Sequence, residues 1–325
     1  MAHGPSIDGV LIQWGERLFY PGNRMVKPVP QPKLRLPAVH GRAAAIRARI
    51  QATIVRRAPQ VMVKVTGGGR GMRAIAAHFR YISKNGRLDI EDDQGCVTRG
   101  RDGVRELLDD WRFGGTLIDD VADRREAFNI MLSMPRGTDP LIVLRAAREF
   151  AASELVDHKY VMVLHDHQAN PHVHISVRAE SKHGKRLNPR KTDLHRWRET
   201  FAEKLRGWGI DAEATRQASR GALRNFDPLW RVKAGAEGRL AFPRSSVKRG
   251  KATAASRSQA GEAWGRIAQA LLASADLKDR ALGQAIINFM RDVSPERSQT
   301  GAQRVRSPDV PMSRDSAVDK LNNRR

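Results

Sequence analysis

Cysteine is nearly missing from this chain: of 325 residues only Cys96 carries a thiol. Internal disulfides and cysteine-based zinc fingers are thereby excluded, and the composition suits a reducing compartment such as the cytoplasm. No apolar run approaches the roughly 20 residues of a membrane span, so no membrane insertion is expected. Residues 1–8 lack a basic region followed by an apolar stretch, so no secretory signal is expected either. Acidic residues are scarce, 35 against 58 Lys and Arg, which leaves a formal net charge of +23. That imbalance calls for a polyanionic partner, and nucleic acid is the first candidate. What is present includes 40% hydrophobic residues, enough for a packed core.

The charge is unevenly placed. Residues 1–57 hold 10 Lys/Arg against 2 Asp/Glu, and residues 240–325 hold 16 against 8. Residues 58–239 are nearly balanced, with 32 against 25. The middle therefore reads as a globular domain, placed at 58–218. Residues 1–57 read as a basic, loosely structured extension with one short basic helix after Gly41. Residues 219–325 read as a basic region, partly helical (between Gly261 and Val293) and partly disordered, above all 294–325.

Within the middle, alternation and β-branching predict a strand at Val61–Thr66. Gly67–Gly71 reads as a turn with some capacity to cradle a phosphate. A helix is predicted from about Met72 to Lys84, with the apolar stripe Met72, Ile75, Ala76, Phe79 and Ile82, ended by Asn85-Gly86. Short strands are expected near Leu88–Ile90 and Cys96–Val97, and a helix over Val104–Trp111. Ala127–Met134 reads as a strand, Pro140–Leu155 as a helix, and Asp193 as the cap of a helix reaching Trp208. Strands separated by helices or turns, with an antiparallel key pair, predict an α+β fold: an antiparallel sheet flanked by helices, with basic extensions at both ends.

The key pair surrounds His165-Asp166-His167-Gln168-Ala169-Asn170-Pro171-His172-Val173-His174, which holds four of the ten histidines. Tyr160–Leu164 before it and Val173–Val177 after it read as strands joined at Asn170-Pro171. His172 and His174, two apart on a strand, project to one face. His165, ending the first strand, lies roughly opposite His172. Three imidazoles then converge as a divalent metal site is built. All-imidazole ligation leaves coordination positions open, which marks a catalytic ion, but ligand type alone does not name the metal. His167 is the alternative to His165 and lies in the loop.

Tyr81 sits on the predicted Met72–Lys84 helix but off its apolar stripe. A tyrosine hydroxyl near pKa 10 is a poor nucleophile at neutral pH, yet it becomes usable beside a metal-bound phosphate and cationic side chains. Arg70, Lys84, Arg87, Lys185, Arg186, Arg190 and Lys191 lie near these elements in sequence; of them, Arg70, Lys84, Arg87, Lys185, Arg186 and Arg190 are the candidate phosphate contacts.

Tyr81 within His-Phe-Arg-Tyr-Ile-Ser-Lys-Asn-Gly, followed by His165 and then Pro-His-Val-His, resembles the conjugative relaxases of the HUH endonuclease superfamily, in the branch of the mobilisation and T-DNA border nickases. The resemblance covers roughly Val61–Trp208. It implies that Tyr81 attacks one phosphodiester of single-stranded DNA at a transfer origin, leaving a 5′-phosphotyrosine and a free 3′-hydroxyl. It implies Mg²⁺ or Mn²⁺ held by His165, His172 and His174. It also implies accessory relaxosome proteins and the coupling ATPase of a secretion channel as partners. Some relatives have an acidic residue two positions after the first histidine; here that place is His167, with Asp166 one earlier. Two other readings use the same residues: a replication initiator with the same chemistry, and a non-catalytic DNA-binding accessory protein with structural histidines.

Overall fold

The structure, a computed structural model, describes residues 6–20, 36–222, 231, 234–235, 237–240, 242 and 250–293. In chain order the elements are α1 (Ile7–Phe19), α2 (Leu36–Ile50) continued by a π-helical turn at Gln51–Val55, β1 (Met62–Gly69), α3 (Met72–Ile82), β2 (Ile90–Asp92), β3 (Val97–Thr98), α4 (Gly100–Phe113), β4 (Ala127–Ser133), α5 (Pro140–Glu154), β5 (Tyr160–His165), β6 (His172–Arg178), α6 (Lys191–Gly207), α7 (Lys251–Leu272) and α8 (Leu277–Asp292). The strands form one sheet in the order β1-β4-β6-β5-β2-β3, and every pairing is antiparallel. The α+β fold expected from the sequence is the fold observed.

Alternation along the strands divides the sheet between two cores. One face carries Phe128, Ile130 and Leu132 of β4 with Val173, Ile175 and Val177 of β6, packed against Val143, Phe150, Trp197 and Phe201 of α5 and α6. The other carries Val161 and Val163 of β5 against Met72, Ile75, Phe79 and Ile82 of α3 and Val104, Leu107 and Trp111 of α4. Phe79 meets Trp111 edge-on with ring centroids 4.8 Å apart. Such a pair contributes about 0.5–1.5 kcal/mol beyond its buried area, and here it fixes α3 against α4.

The glycine run differs from its sequence reading. Gly67, Gly68 and Gly69 belong to β1, paired with Asn129, Phe128 and Ala127 after a register shift at Val65/Gly67. A side chain is excluded at Gly68, where a Cβ would lie 2.2 Å from the Ala127 carbonyl oxygen, and at Gly69, where it would lie 2.6 Å from the Ile75 side chain. Gly71 alone makes the turn, with φ +88°. The amides that open α3 are already occupied, Met72 N donating to Asp119 O at 2.8 Å and Arg73 N to Asp120 O at 3.1 Å. No phosphate cradle forms there. The start of α6 also differs: Asp193 lies inside the first turn, where its carboxylate accepts from the Arg190 amide at 2.9 Å, so the helix opens three residues earlier than expected.

Residues 1–57 were expected to be loose apart from one short helix, yet α1 packs as firmly as the domain does. Leu11, Leu18 and Phe19 of α1, Ile46 and Ile50 of α2, Trp264, Ile267 and Leu271 of α7 and Ile286 of α8 form a third core. Arg47 joins this unit by pairing with Asp8 and Asp279, each at 2.8 Å. Arg49–Glu199 (2.5 Å), Thr53–Thr215 (3.0 Å) and Arg56–Asp211 (2.7 Å) connect it to the sheet domain. Ser219, where order was expected to weaken, is fully buried; its hydroxyl donates to Leu18 O and its carbonyl accepts from Trp264 Nε1. Residues 294–325, read as disordered, lie outside the described residues. No described helix is long and apolar enough to cross a membrane.

Candidate active site

The hairpin β5–β6 builds the centre of the site. His165 pairs directly with His172 across the two strands, and His174 faces Val163. All three imidazoles point to the α3–α4 side, because residues of one parity share a face and an antiparallel partner shares it too. Ring centroids are 5.0 Å apart for His165–His172, 4.7 Å for His165–His174 and 5.0 Å for His172–His174. One nitrogen from each ring lies within 4.8 Å of the others, the geometry of a metal-binding group. All three residues are buried. The loop is braced from β4, whose Met134 amide donates to Pro171 O at 3.1 Å.

Hydrogen bonding sets the tautomers. His165 Nε2 is 2.7 Å from the Ile82 carbonyl and His172 Nδ1 is 2.9 Å from the Asn170 carbonyl. A carbonyl only accepts, so both nitrogens carry the proton and the opposite nitrogens keep free lone pairs. His165 Nδ1 and His174 Nδ1 are buried and have no partner among the described residues. Burial, reinforced by His165, His172 and His78, pushes His174 down to about 3. Burial also lowers His165, with further repulsion from His172, His167 and Lys84, against the bond from Ile82. His165 and His174 are thus neutral nitrogen donors, and with His172 they form a group of three imidazoles whose chemistry fits a divalent cation.

Tyr81 stands over this group. It lies in the last turn of α3 and is 69% exposed, because the apolar stripe of the helix turns Phe79 and Ile82 inward instead. Its ring centroid is 6.4 Å from that of His174. The Ile82 carbonyl that receives the His165 proton is the next residue, so the helix that carries Tyr81 is tied to the histidines by one hydrogen bond. The other two tyrosines are placed differently: Tyr160 is buried, and Tyr20 lies on the terminal helical unit against Arg49.

His78 was missed in the sequence. One turn before Tyr81, its ring is 6.2 Å from Tyr81 and 6.3 Å from His174. Its Nε2 is buried without a partner among the described residues, and burial pushes its pKa down to about 4. The i,i+3 spacing to Tyr81 was the available signal. His167 is exposed in the loop, 5.1 Å from His165, and stands outside the group of three.

The candidate phosphate contacts are scattered. Lys84 and Arg87 are exposed just after α3, at the histidine end of the sheet. Arg70 precedes α3, at the opposite end of a helix about 16 Å long. Lys185 and Arg186 follow the far end of β6, whose six residue steps from His172 span about 20 Å. Arg186 is moreover paired with Glu126 and Glu180. Arg190 opens α6, which packs on the other face of the sheet. Of these candidates, Lys84 is the one whose charge is felt at the histidines, where it acts on His165.

Comparison with known proteins gives a consistent result. Residues 81–210 match the family described as Relaxase: MobA/VirD2-like, nuclease domain, and the match begins at Tyr81. The chain is 26% identical over 182 residues to the T-DNA border endonuclease VirD2 of Rhizobium radiobacter, covering 50% of this chain and 43% of that protein. It is 24% identical over 182 residues to the T-DNA border endonuclease VirD2 of Agrobacterium fabrum, covering 50% and 41%. The chain thus spans less than half the length of these relatives.

Proposed function

We propose that this chain, whose residues 81–210 match the MobA/VirD2-like relaxase nuclease domain, is a site- and strand-specific nickase that transfers single-stranded DNA to Tyr81. The Tyr81 hydroxyl oxygen attacks the phosphorus of one phosphodiester. The new bond joins oxygen to phosphorus, the bond from phosphorus to the 3′-oxygen breaks, and the 3′-oxygen leaves as a hydroxyl after taking a proton. DNA remains on the protein as a 5′-phosphotyrosine. One phosphodiester replaces another, so the reverse joining by the free 3′-hydroxyl needs no external energy source.

His165, His172 and His174 would hold the metal, Mg²⁺ or Mn²⁺, which polarises the scissile phosphate when bound. The remaining work belongs to the chain. Burial keeps His165 and His174 neutral and available. The Ile82 and Asn170 carbonyls orient two of them. The end of α3 presents Tyr81 in the open, where a strand of DNA can reach it. Lys84 and Arg87 supply positive charge beside the developing phosphorane. The single observation that most supports this reading is the exposed Tyr81 ring 6.4 Å from His174. By analogy with the T-DNA border endonucleases it resembles, its substrate is a border or origin sequence on transferred DNA. The transfer origin, relaxosome accessory proteins and a coupling ATPase are the partners this reading implies.

The experiment is a denaturing gel of the full chain with pooled single-stranded oligonucleotides from the DNA beside its gene, with and without Mn²⁺. A metal-dependent protein–DNA adduct that disappears in Tyr81→Phe is the expected result. Retardation of DNA with no adduct under any metal would instead favour the accessory DNA-binding reading.

A further inference from the structure

A cavity of about 300 Å³ lies between the end of α3 and the first turns of α4, lined by Arg80, Asn85, Arg101, Val104, Arg105 and Leu108. Arg101, Val104, Arg105 and Leu108 are spaced i, i+3, i+4 and i+7, so they form one stripe along α4. Val104 is buried and Leu108 half-buried, which makes an apolar floor; the three arginines and Asn85 are exposed around it. Their positive charge is nearly uncompensated. Arg80 and Arg101 form no ion pair among the described residues, and Arg105 meets only Asp102, at 3.3 Å, with both side chains largely in solvent. Three guanidinium groups around one small cavity repel each other unless an anion sits between them.

The wall beside Tyr81 is rigid and unusual. Lys84, Asn85 and Gly86 all adopt positive φ, at 51°, 58° and 81°. The turn is held by Asn85 N to Arg80 O (2.8 Å), Leu88 N to Ser83 O (2.9 Å) and Gly100 N to Gly86 O (3.0 Å). Ser83, fully buried, accepts from Gly86 N and donates to Phe79 O. Two consecutive non-glycine residues in left-handed conformation persist only where the surroundings hold them, and such strain gathers at ligand clamps. Here it sets the Asn85 amide on the cavity wall, next to the arginine that immediately precedes Tyr81.

We propose that this cavity is a subsite for one unpaired nucleotide of the DNA strand flanking the scissile phosphate. Arg101 and Arg105 hold its backbone phosphate, and its base lies on the Val104–Leu108 floor between the Arg80 guanidinium and the Asn85 amide. Guanidinium forks match phosphate geometry and stack on bases, and an amide reads a base edge. The proposal rests on Tyr81 as the nucleophile, since it is Arg80 and Asn85 that tie the cavity to that residue.

The test uses the full chain carrying Tyr81→Phe, which binds without cutting, with and without Arg101→Ala/Arg105→Ala. Anisotropy of a fluorescein-labelled oligothymidylate is followed over a salt series. The double variant is expected to bind about tenfold or more weakly, the loss of two charged donors. The slope of log K against log salt is expected to fall by about 0.7 for each phosphate contact removed. Asn85→Asp, which adds a negative charge to the cavity and leaves every arginine in place, is expected to weaken binding as well, with an unchanged melting temperature. Unchanged affinity and slope in both variants would overturn the subsite. So would an equal loss on duplex DNA, because a paired nucleotide cannot enter the cavity. Adduct formation by the unsubstituted chain is scored in parallel. An adduct together with unchanged binding removes the subsite alone; weakened binding without any adduct removes Tyr81 as nucleophile and keeps the nucleotide pocket.

Discussion

In the proposed mechanism Tyr81 and the three histidines have different roles, and substitutions should separate them. Tyr81 is exposed and makes little contribution to any core, so Tyr81→Phe should abolish covalent transfer while leaving the melting temperature and DNA affinity close to those of the parent chain. A clear fall in melting temperature for this variant would mean that the ring is a packing element instead. His174 is buried between two other imidazoles, and its protonation is opposed by the fold. Unfolded, it titrates near 6.5. Between that value and its depressed one the unfolded chain binds more protons than the native chain, so stability rises with pH. His78 and His165, also lowered by burial, act in the same direction. The metal-free chain is therefore expected to melt at a lower temperature near pH 5 than near pH 7, and His78→Asn should narrow the difference. A flat melting profile over that range would contradict this.

At the scale of elements, α3 is positioned by both of its ends. Its start depends on Gly71, where a Cβ would lie 2.5 Å from the Asp120 carbonyl oxygen and the backbone is left-handed. Gly71→Ala should cost about 1–3 kcal/mol in urea unfolding and slow adduct formation by displacing the helix; a neutral substitution would show that the turn can shift freely. Much of this element was legible in the sequence, since Met72, Ile75, Phe79 and Ile82 keep helical period and Tyr81 falls off their stripe. The histidine hairpin was legible for a similar reason: a two-residue period and an Asn-Pro turn fix which rings share a face. The glycine run was not. Gly67–Gly69 look like a turn to any local reading, and only the approach of β4 reveals a strand kept bare for close pairing. The spacing of His78 to Tyr81 was visible in the sequence, but its burial and its approach to His174 across the fold were not.

For the whole molecule, the basic ends are not mere appendages. The helices α1 and α2 are completed by α7 and α8, whose partners lie more than two hundred residues away in the chain. Periodicity can suggest each helix but cannot show that Leu18 meets Trp264's neighbourhood, so α2 and the stretch between Gly261 and Val293 were read as helical without a shared core, and the region of α1 as loose. A chain ended before Lys251 should lose amide-exchange protection throughout α1 and α2, because Leu11, Leu18, Phe19, Ile46 and Ile50 would face water. Protection retained in α1 would mean that α1 and α2 pack independently of the C-terminal helices. The net charge of +23 adds a general expectation, that DNA affinity falls steeply with salt whatever the sequence bound.

The proposed covalent transfer is tested most directly by identifying the residue that bears the DNA. The measurement is to digest the covalent adduct with protease and nuclease and locate the nucleotide-bearing peptide by mass spectrometry. The account predicts a 5′-linked nucleotide on Tyr81, in the peptide that joins α3 to the Lys84–Gly86 turn. A nucleotide on Tyr20, Tyr160 or a serine, or a 3′ linkage, would contradict it.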